Sequence, residues 1–364
     1  MKPLENRIVM TLDAGGTNFV FSAIQNYKVI TPVVTMPACS DDLNKCLEQL
    51  VKGFKAIEDM LSDSPVAISF AFPGPADYTN GIIGDLPNMK AFRGGVPLGP
   101  YLEEIFGIPV YINNDGNLFA YGEALCGALP TLNKQLKEAD INKQYKNVIG
   151  LTFGTGFGSG VVIDGNLLTG DNDCGGDVWV FRNKLFPNKI VEESVSARAV
   201  TSEYNKLATV KDYNLTPKDI YLIAEGMLEG DQRAAQMSFG KLGEAAGDAI
   251  AHLLTFIDGI VVLGGGLMHA SKYILPSLLN ELNSSLELAN NESTPRLQME
   301  VLQYENTNNF DFILKSQKII HIPQSNKEIT YNPLKTTFIM KTKLGTSASI
   351  SLGAYAYALH MLEQ

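Results

Sequence analysis

Two stretches of this sequence are almost bare backbone. One, LDAGGT, places Gly15, Gly16 and Thr17 two residues after Asp13; the other, FGTGFGSG, carries Gly154, Thr155, Gly156 and Gly158. A glycine turn lacks Cβ atoms and can bring several backbone N–H groups against phosphate oxygens at once, and threonine hydroxyls add donors. Both stretches have strand-like flanks. Val148, Ile149, Leu151 and Phe153 precede the second, and Val161, Val162 and Ile163 follow it. Each therefore reads as a hairpin with a binding tip, and the third glycine does not fall where a dinucleotide fingerprint needs it. Two such tips can pinch a triphosphate without a helix dipole. Taken singly, each is also an ordinary hairpin turn.

Phosphoryl transfer asks a protein mainly to position groups and to neutralise charge. Asp13 suits either of two tasks beside the first turn: holding Mg²⁺ through a water, or capping the turn. Asp115, in the run INNDGN, stands where a strand gives way to a helix, a place where open α/β sheets collect ligands. A carboxylate there could accept an alcohol proton as the oxygen attacks phosphorus, and it would equally suit a helix N-cap. Gly264, Gly265 and Gly266 end the strand-like IVVLGGGL, either to admit a nucleoside to the backbone or as a plain strand-to-helix turn.

The elements around these residues form a repeated plan. An apolar strand, a glycine turn and a second strand open each half, which suggests a duplicated α/β unit. In the first half a helix is expected over residues 42–61, then a buried strand VAISFAF. A short helix over 97–106 turns Leu98, Leu102, Ile105 and Phe106 inward, and a strand IPVYIN and a helix over 117–129 follow. In the second half residues 242–256 and the last twenty residues read as helices. Residues 130–147 are polar and read as an inserted excursion. Residues 297–341 alternate in strand fashion (EVLQY, FILKS, KIIHI, TFIMK) and suggest added hairpins.

The 364 residues suit one large or two ordinary domains, and 45% hydrophobic residues indicate sizeable cores. A net charge of -10 argues against nucleic acid as the main partner. Cys39, Cys46, Cys126 and Cys174 include no CxxC pair and read as buried thiols in a reducing compartment. Neither a signal-peptide core nor an apolar run of membrane-spanning length is found, so a cytoplasmic location away from membranes is expected. His252, His269, His321 and His360 show no metal or triad spacing.

The ordered set DAGGT, PGPAD, LPN, INNDGN, FGTGFGSG and VVLGGGL resembles the ROK family of sugar kinases and related repressors. The resemblance implies an α/β, actin-like ATPase (ribonuclease H-like) fold, with two α/β domains around a cleft. Residues 1–117 with 345–364 would form the N-terminal domain, with the first phosphate loop and the sugar site. Residues 118–344 would form a larger domain, with the second phosphate loop, the adenosine site and inserted hairpins over 297–341. ATP and Mg²⁺ are implied, with Asp115 as general base. Asn88, Asn114, Asp115, Asp177 and Glu192 would bind the sugar, and neighbouring Glu193 leaves the last register open by one. Two departures stand out. The family's Gly-Gly-Glu-x-Gly-His segment is Gly175-Gly176-Asp177-Val178-Trp179-Val180 here, and NKLFPNKIVEES lacks the zinc cysteines, which disfavours a zinc site. Trp179, the only tryptophan, could stack on a sugar or sit in a core. A glucokinase-like hexose kinase that makes a sugar 6-phosphate is expected. An N-acetylhexosamine kinase or fructokinase, and a non-catalytic sugar-responsive regulator, are the alternatives. A homodimer is expected from the family.

Overall fold

Alternation along the first strand decides how the first part of the chain layers. In strand Ile8–Ala14, Ile8, Met10 and Leu12 enter one core and Val9 enters another, the two-faced pattern of a buried strand. The computed structural model describes residues 5–14, 17–74, 76–84, 92–306 and 308–364. It divides into two compact units: Met1–Gly127 with Ser159–Gly176 and Lys343–Gln364, and Ala128–Gly158 with Asp177–Thr342. Residues 159–176, assigned to the second domain from sequence, cluster with the first.

In the first unit Ile8–Ala14 pairs antiparallel with Asn18–Gln25 and parallel with Ala67–Ala71, which pairs parallel with Val110–Asn113. Helices α1 (Leu43–Glu58) and α2 (Leu98–Phe106) cover one face. Asp42 starts α1 by accepting from the Lys45 N–H at 3.2 Å. The core beneath is aromatic, with Phe21 and Phe54 edge to face at 4.9 Å. Ile105, expected inside, lies on the open side of α2 and is 38% exposed. The other face is covered by the C-terminal helix Thr346–Met361, whose Tyr355, Ala358 and Leu359 meet Val9, Ile24 and Ala67.

Helix α3 (Asp115–Leu125) lies close against that C-terminal helix. The contact rests on glycine: a Cβ on Gly353 would collide with the Leu118 carbonyl, and one on Gly122 with the Ser349 carbonyl. Between them the fully buried Glu123 accepts a hydrogen bond from Ser349 Oγ at 2.6 Å. Hence α3, which begins at Asp115, cannot shift without breaking this contact.

The second unit holds a parallel sheet in the order Val148–Phe153, Ile260–Gly264, Thr336–Lys341, Glu300–Gln303. Two corrections follow. Residues 130–147 are not an excursion: α4 (Ala128–Glu138) buries Ala128, Leu132 and Leu136. After it the Tyr145 ring meets Phe338 at 5.9 Å and its hydroxyl donates to the Thr336 carbonyl at 2.6 Å. Exposed Lys134, Lys137 and Glu138 supplied the polarity that hid the helix. Nor are residues 297–341 only added hairpins. Glu300–Gln303 and Thr336–Lys341 are strands of the main sheet, and FILKS falls on a helix, Asn309–Lys315. Only Lys318–His321 with Glu328–Tyr331 forms the expected hairpin. α5 (Ala197–Leu207), α6 (Pro217–Ala224), α7 (Gln232–Ile257) and α8 (Ser271–Leu282) share the unit's main core with the sheet.

Of the cysteines only Cys46 is buried. Cys174 is exposed, against expectation, because it sits in the turn-rich segment after the second glycine hairpin; none of the four is in a disulfide.

Gly122→Ala or Gly353→Ala should each destabilise the protein by about 1–3 kcal/mol, the range for overfilling a packed contact. Ser347→Ala, on the exposed side of the same helix, should stay within about 0.5 kcal/mol. Urea unfolding measures both.

Candidate active site

Asp115 is the first residue of α3, immediately beyond the strand Val110–Asn113 and its cap. The capping task falls to Asn114, whose Oδ1 accepts from the Gly116 N–H at 2.8 Å. Asp115 Oδ1 shares that donor at 2.8 Å, and no hydrogen bond to its Oδ2 is seen among the described residues. Sequence reading missed the frame beneath. Asn113, 1% exposed, accepts from the Asn114 N–H at 2.7 Å and from Asn117 Nδ2 at 2.9 Å. Asparagines at core positions of a strand end and a first helical turn were the signal. Asn114 Nδ2 also reaches Tyr78 Oη at 3.4 Å, and Tyr78 donates to the Phe72 carbonyl at 3.0 Å.

Gly116 permits a close approach. A Cβ there would overlap the backbone of Ser159, whose hydroxyl donates to the Gly176 carbonyl. Asp115 is exposed by surface area, while the protein around its carboxyl displaces part of its hydration. Displaced hydration pushes its pKa above the usual aspartate value, the Gly116 N–H pulls it down, and the Asp13 carboxylate adds a further push upward. Asp13 lies inside strand Ile8–Ala14, paired with Val20. Thr17 is exposed, and its carbonyl accepts from the Ala38 N–H at 2.9 Å. Gly15, Gly16 and Asn88 lie outside the described residues.

The second unit assembles the other glycine loop. Strand Val148–Phe153 leads into a turn in which the Gly154 N–H donates to the Gly156 carbonyl at 3.1 Å, and Thr155 is exposed. The Gly154 carbonyl accepts from the Ala197 N–H at the start of α5, at 2.8 Å. Gly158 follows in the strand Phe157–Ile163. Glu192 Oε2 accepts from the Phe157 N–H at 3.0 Å, whereas the Glu193 side chain reaches only Arg198 among the described contacts. Arg198 Nη2 also binds Glu192 Oε1 at 2.9 Å. It was a missed partner, and the i+6 spacing gave no helical signal.

Gly264 closes its strand beside Thr152. Gly265 has φ +90°, and a Cβ on it would overlap the Phe153 backbone, so the fold itself demands glycine there. Gly266 faces open space and starts the turn Gly266–Ala270. Asp177 is exposed, and burial of its carboxyl raises its pKa while the Trp179 indole N–H lowers it. Trp179 is 40% exposed, which excludes the core reading. Among the described residues, no group of three or more His, Cys, Asp or Glu side chains is placed to hold a metal. Within the first unit the structure thus brings together Asp13, Asn114 and Asp115. Within the second it brings together the 154–158 loop, Glu192 and the Gly264–Gly266 turn.

The model of the ROK family matches residues 9–309. The chain belongs to the ROK family. A crystal structure of glucokinase from Parabacteroides distasonis superimposes with a TM-score of 0.88 at 56% identity, and covers 98% of each chain. Glucokinase of Thermotoga maritima is 27% identical over 284 residues, 73% of this chain and 84% of its own. N-acetyl-D-glucosamine kinase of Vibrio cholerae is 30% identical over 275 residues, 70% and 83%. The fold of this ROK chain is accordingly the actin-like ATPase fold, as the motif order implied. No described helix is long and apolar enough to cross a membrane.

Because lost hydration and the Asp13 charge disfavour an ionised Asp115, the residue stabilises the fold most below the ordinary aspartate pKa and loses that contribution as pH rises through its raised value. Asp115→Asn retains an acceptor for Gly116. It should melt at or above the wild-type temperature at pH 7.5, and the gap should close on acidification; scanning calorimetry at two pH values measures this.

Proposed function

We propose that this protein is an ATP-dependent hexose kinase, a glucokinase that transfers the γ-phosphoryl group to the 6-hydroxyl of its sugar. The geometric support is the Asp115 carboxylate. One of its oxygens is anchored on the helix N-terminus, the other takes no hydrogen bond from the described residues, and its basicity lies above that of a free aspartate. The end-to-end match at 56% identity to a glucokinase supports the substrate class.

In this reading Asp115 takes the proton of the sugar hydroxyl, a service worth about 10²–10⁴ in rate. That oxygen bonds to the γ-phosphorus as the bond to the bridging oxygen breaks, and ADP leaves. Asn114, Asp177, Glu192 and Asn88 supply hydrogen bonds to the other hydroxyls. Gly15, Gly16, Thr17, Gly154, Thr155, Gly156 and Gly158 offer N–H and hydroxyl donors to the phosphates. Gly264, Gly265 and Gly266 leave room for the adenosine. The nucleotide enters as MgATP. Asp13 is a carboxylate donor of the type magnesium takes, suited to holding the ion through a water, and the bound ion would neutralise phosphate charge. In this reading sugar and phosphate contacts come from both units, and the adenosine lies on the second. A cytoplasmic homodimer completes the proposal.

Two observations favour a second reading, an N-acetylhexosamine kinase: the Vibrio cholerae relative is 30% identical, and the segment Asp177–Val180 departs from the family pattern. Release of ADP from MgATP, measured over a panel of hexoses and N-acetylhexosamines, decides. Glucose should give a kcat/KM at least about tenfold above N-acetylglucosamine, a difference of roughly 1.4 kcal/mol. The reverse order would establish the second reading. Binding of sugar with no turnover of any would leave a regulator. The acid limb of kcat/KM should lie above the ordinary aspartate range, and Asp13→Asn, which removes a like charge, should move it to lower pH.

A further inference from the structure

Asn183 is fully buried in the second unit, and its side chain is saturated. Its Oδ1 accepts from the N–H groups of Leu185 at 2.9 Å and Phe186 at 3.2 Å. Its Nδ2 donates to the Ile190 carbonyl at 3.1 Å and to Ser194 Oγ at 2.8 Å. Its own N–H donates to the Lys189 carbonyl at 3.0 Å, and the Val191 N–H closes the segment on the Phe181 carbonyl at 2.7 Å. An amide has two donors and two acceptor sites, and here all are used. One side chain therefore fixes residues 183–194, a stretch with no α-helix of its own.

The fixed stretch includes Glu192, on a single turn Val191–Glu193. Glu192 accepts the Phe157 N–H, the first backbone donor after the second glycine turn. Such a bond spans 35 residues of sequence and holds only while the 191–193 turn stays in place. Arg198 contributes from one side, but it is half exposed and divided between two glutamates. The buried, undivided support comes from Asn183.

We propose that Asn183 is a positioning residue: through the 183–194 stretch it holds Glu192 against the glycine loop and so presets the sugar and phosphate contacts of the second unit. The substrate part of this statement rests on the kinase reading; the structural coupling does not.

Hydrogen exchange of the full-length chain, read by mass spectrometry on peptides covering 154–158, 183–194 and 234–254, tests the coupling without any substrate. Asn183→Ala should speed exchange about tenfold in both 154–158 and 183–194 and leave 234–254, within α7, unchanged. Faster exchange confined to 183–194 would overturn the proposal. If the alanine variant does not fold, Asn183→Asp decides by the same comparison, since it keeps the Oδ1 bonds and loses the Nδ2 donors. With glucose as substrate, the aspartate variant should raise KM about tenfold and keep kcat within about threefold. A fall in kcat at unchanged KM would contradict the proposed route through Glu192. If wild-type protein turns over no sugar, the kinase reading fails while the exchange result still stands.

Discussion

The site depends on holding a carboxylate at a fixed point while denying it full hydration. Three asparagines and a glycine do this around Asp115. Asn113 braces Asn114 and Asn117, Asn114 caps α3, and Gly116 lets the first turn sit against the Ser159 backbone. The N–H of Gly116 lowers the cost of charge on Asp115, and the surrounding protein and Asp13 raise it. The balance raises its pKa above that of a free aspartate, which suits the proposed role of proton acceptor.

The rest of the first unit serves that placement. Strand Val110–Asn113 delivers the asparagines, and α3 carries their hydrogen bonds forward. The glycine contact with the C-terminal helix prevents α3 from sliding. In the second unit the same economy is reached differently. A bare loop at 154–158 has few side chains to define it, so its carbonyl and N–H groups are held from outside, by Ala197 and Glu192. The loop stays bare, as the proposed phosphate contact requires, and its order is supplied from neighbouring segments.

Much of this was legible in the sequence. Glycine hairpins, strand alternation and the INNDGN run each carry a local signal, and their order carried the family. Asp115 stood out at a strand-to-helix junction, where a carboxylate serves as an N-cap or faces a ligand, and the order of the family motifs favoured the second. What escaped were residues whose role depends on distant partners. α4 was hidden by lysines on its outer side, although Leu132 and Leu136 kept the helical spacing. Strand Thr336–Lys341 is central to a sheet, but parallel pairing leaves no turn chemistry to mark it. Asn183 sits in NKLFPNKI, which shows no period. Only burial reveals that its amide replaces a backbone ladder.

The most direct test is the single-turnover rate of phosphoryl transfer to glucose by Asp115→Asn, with glucose affinity measured on the same preparation. Loss of about 10² or more in rate at an affinity within about threefold of wild type is expected if Asp115 is the proton acceptor. Transfer at close to the wild-type rate would contradict that role, whatever the other contacts of the residue.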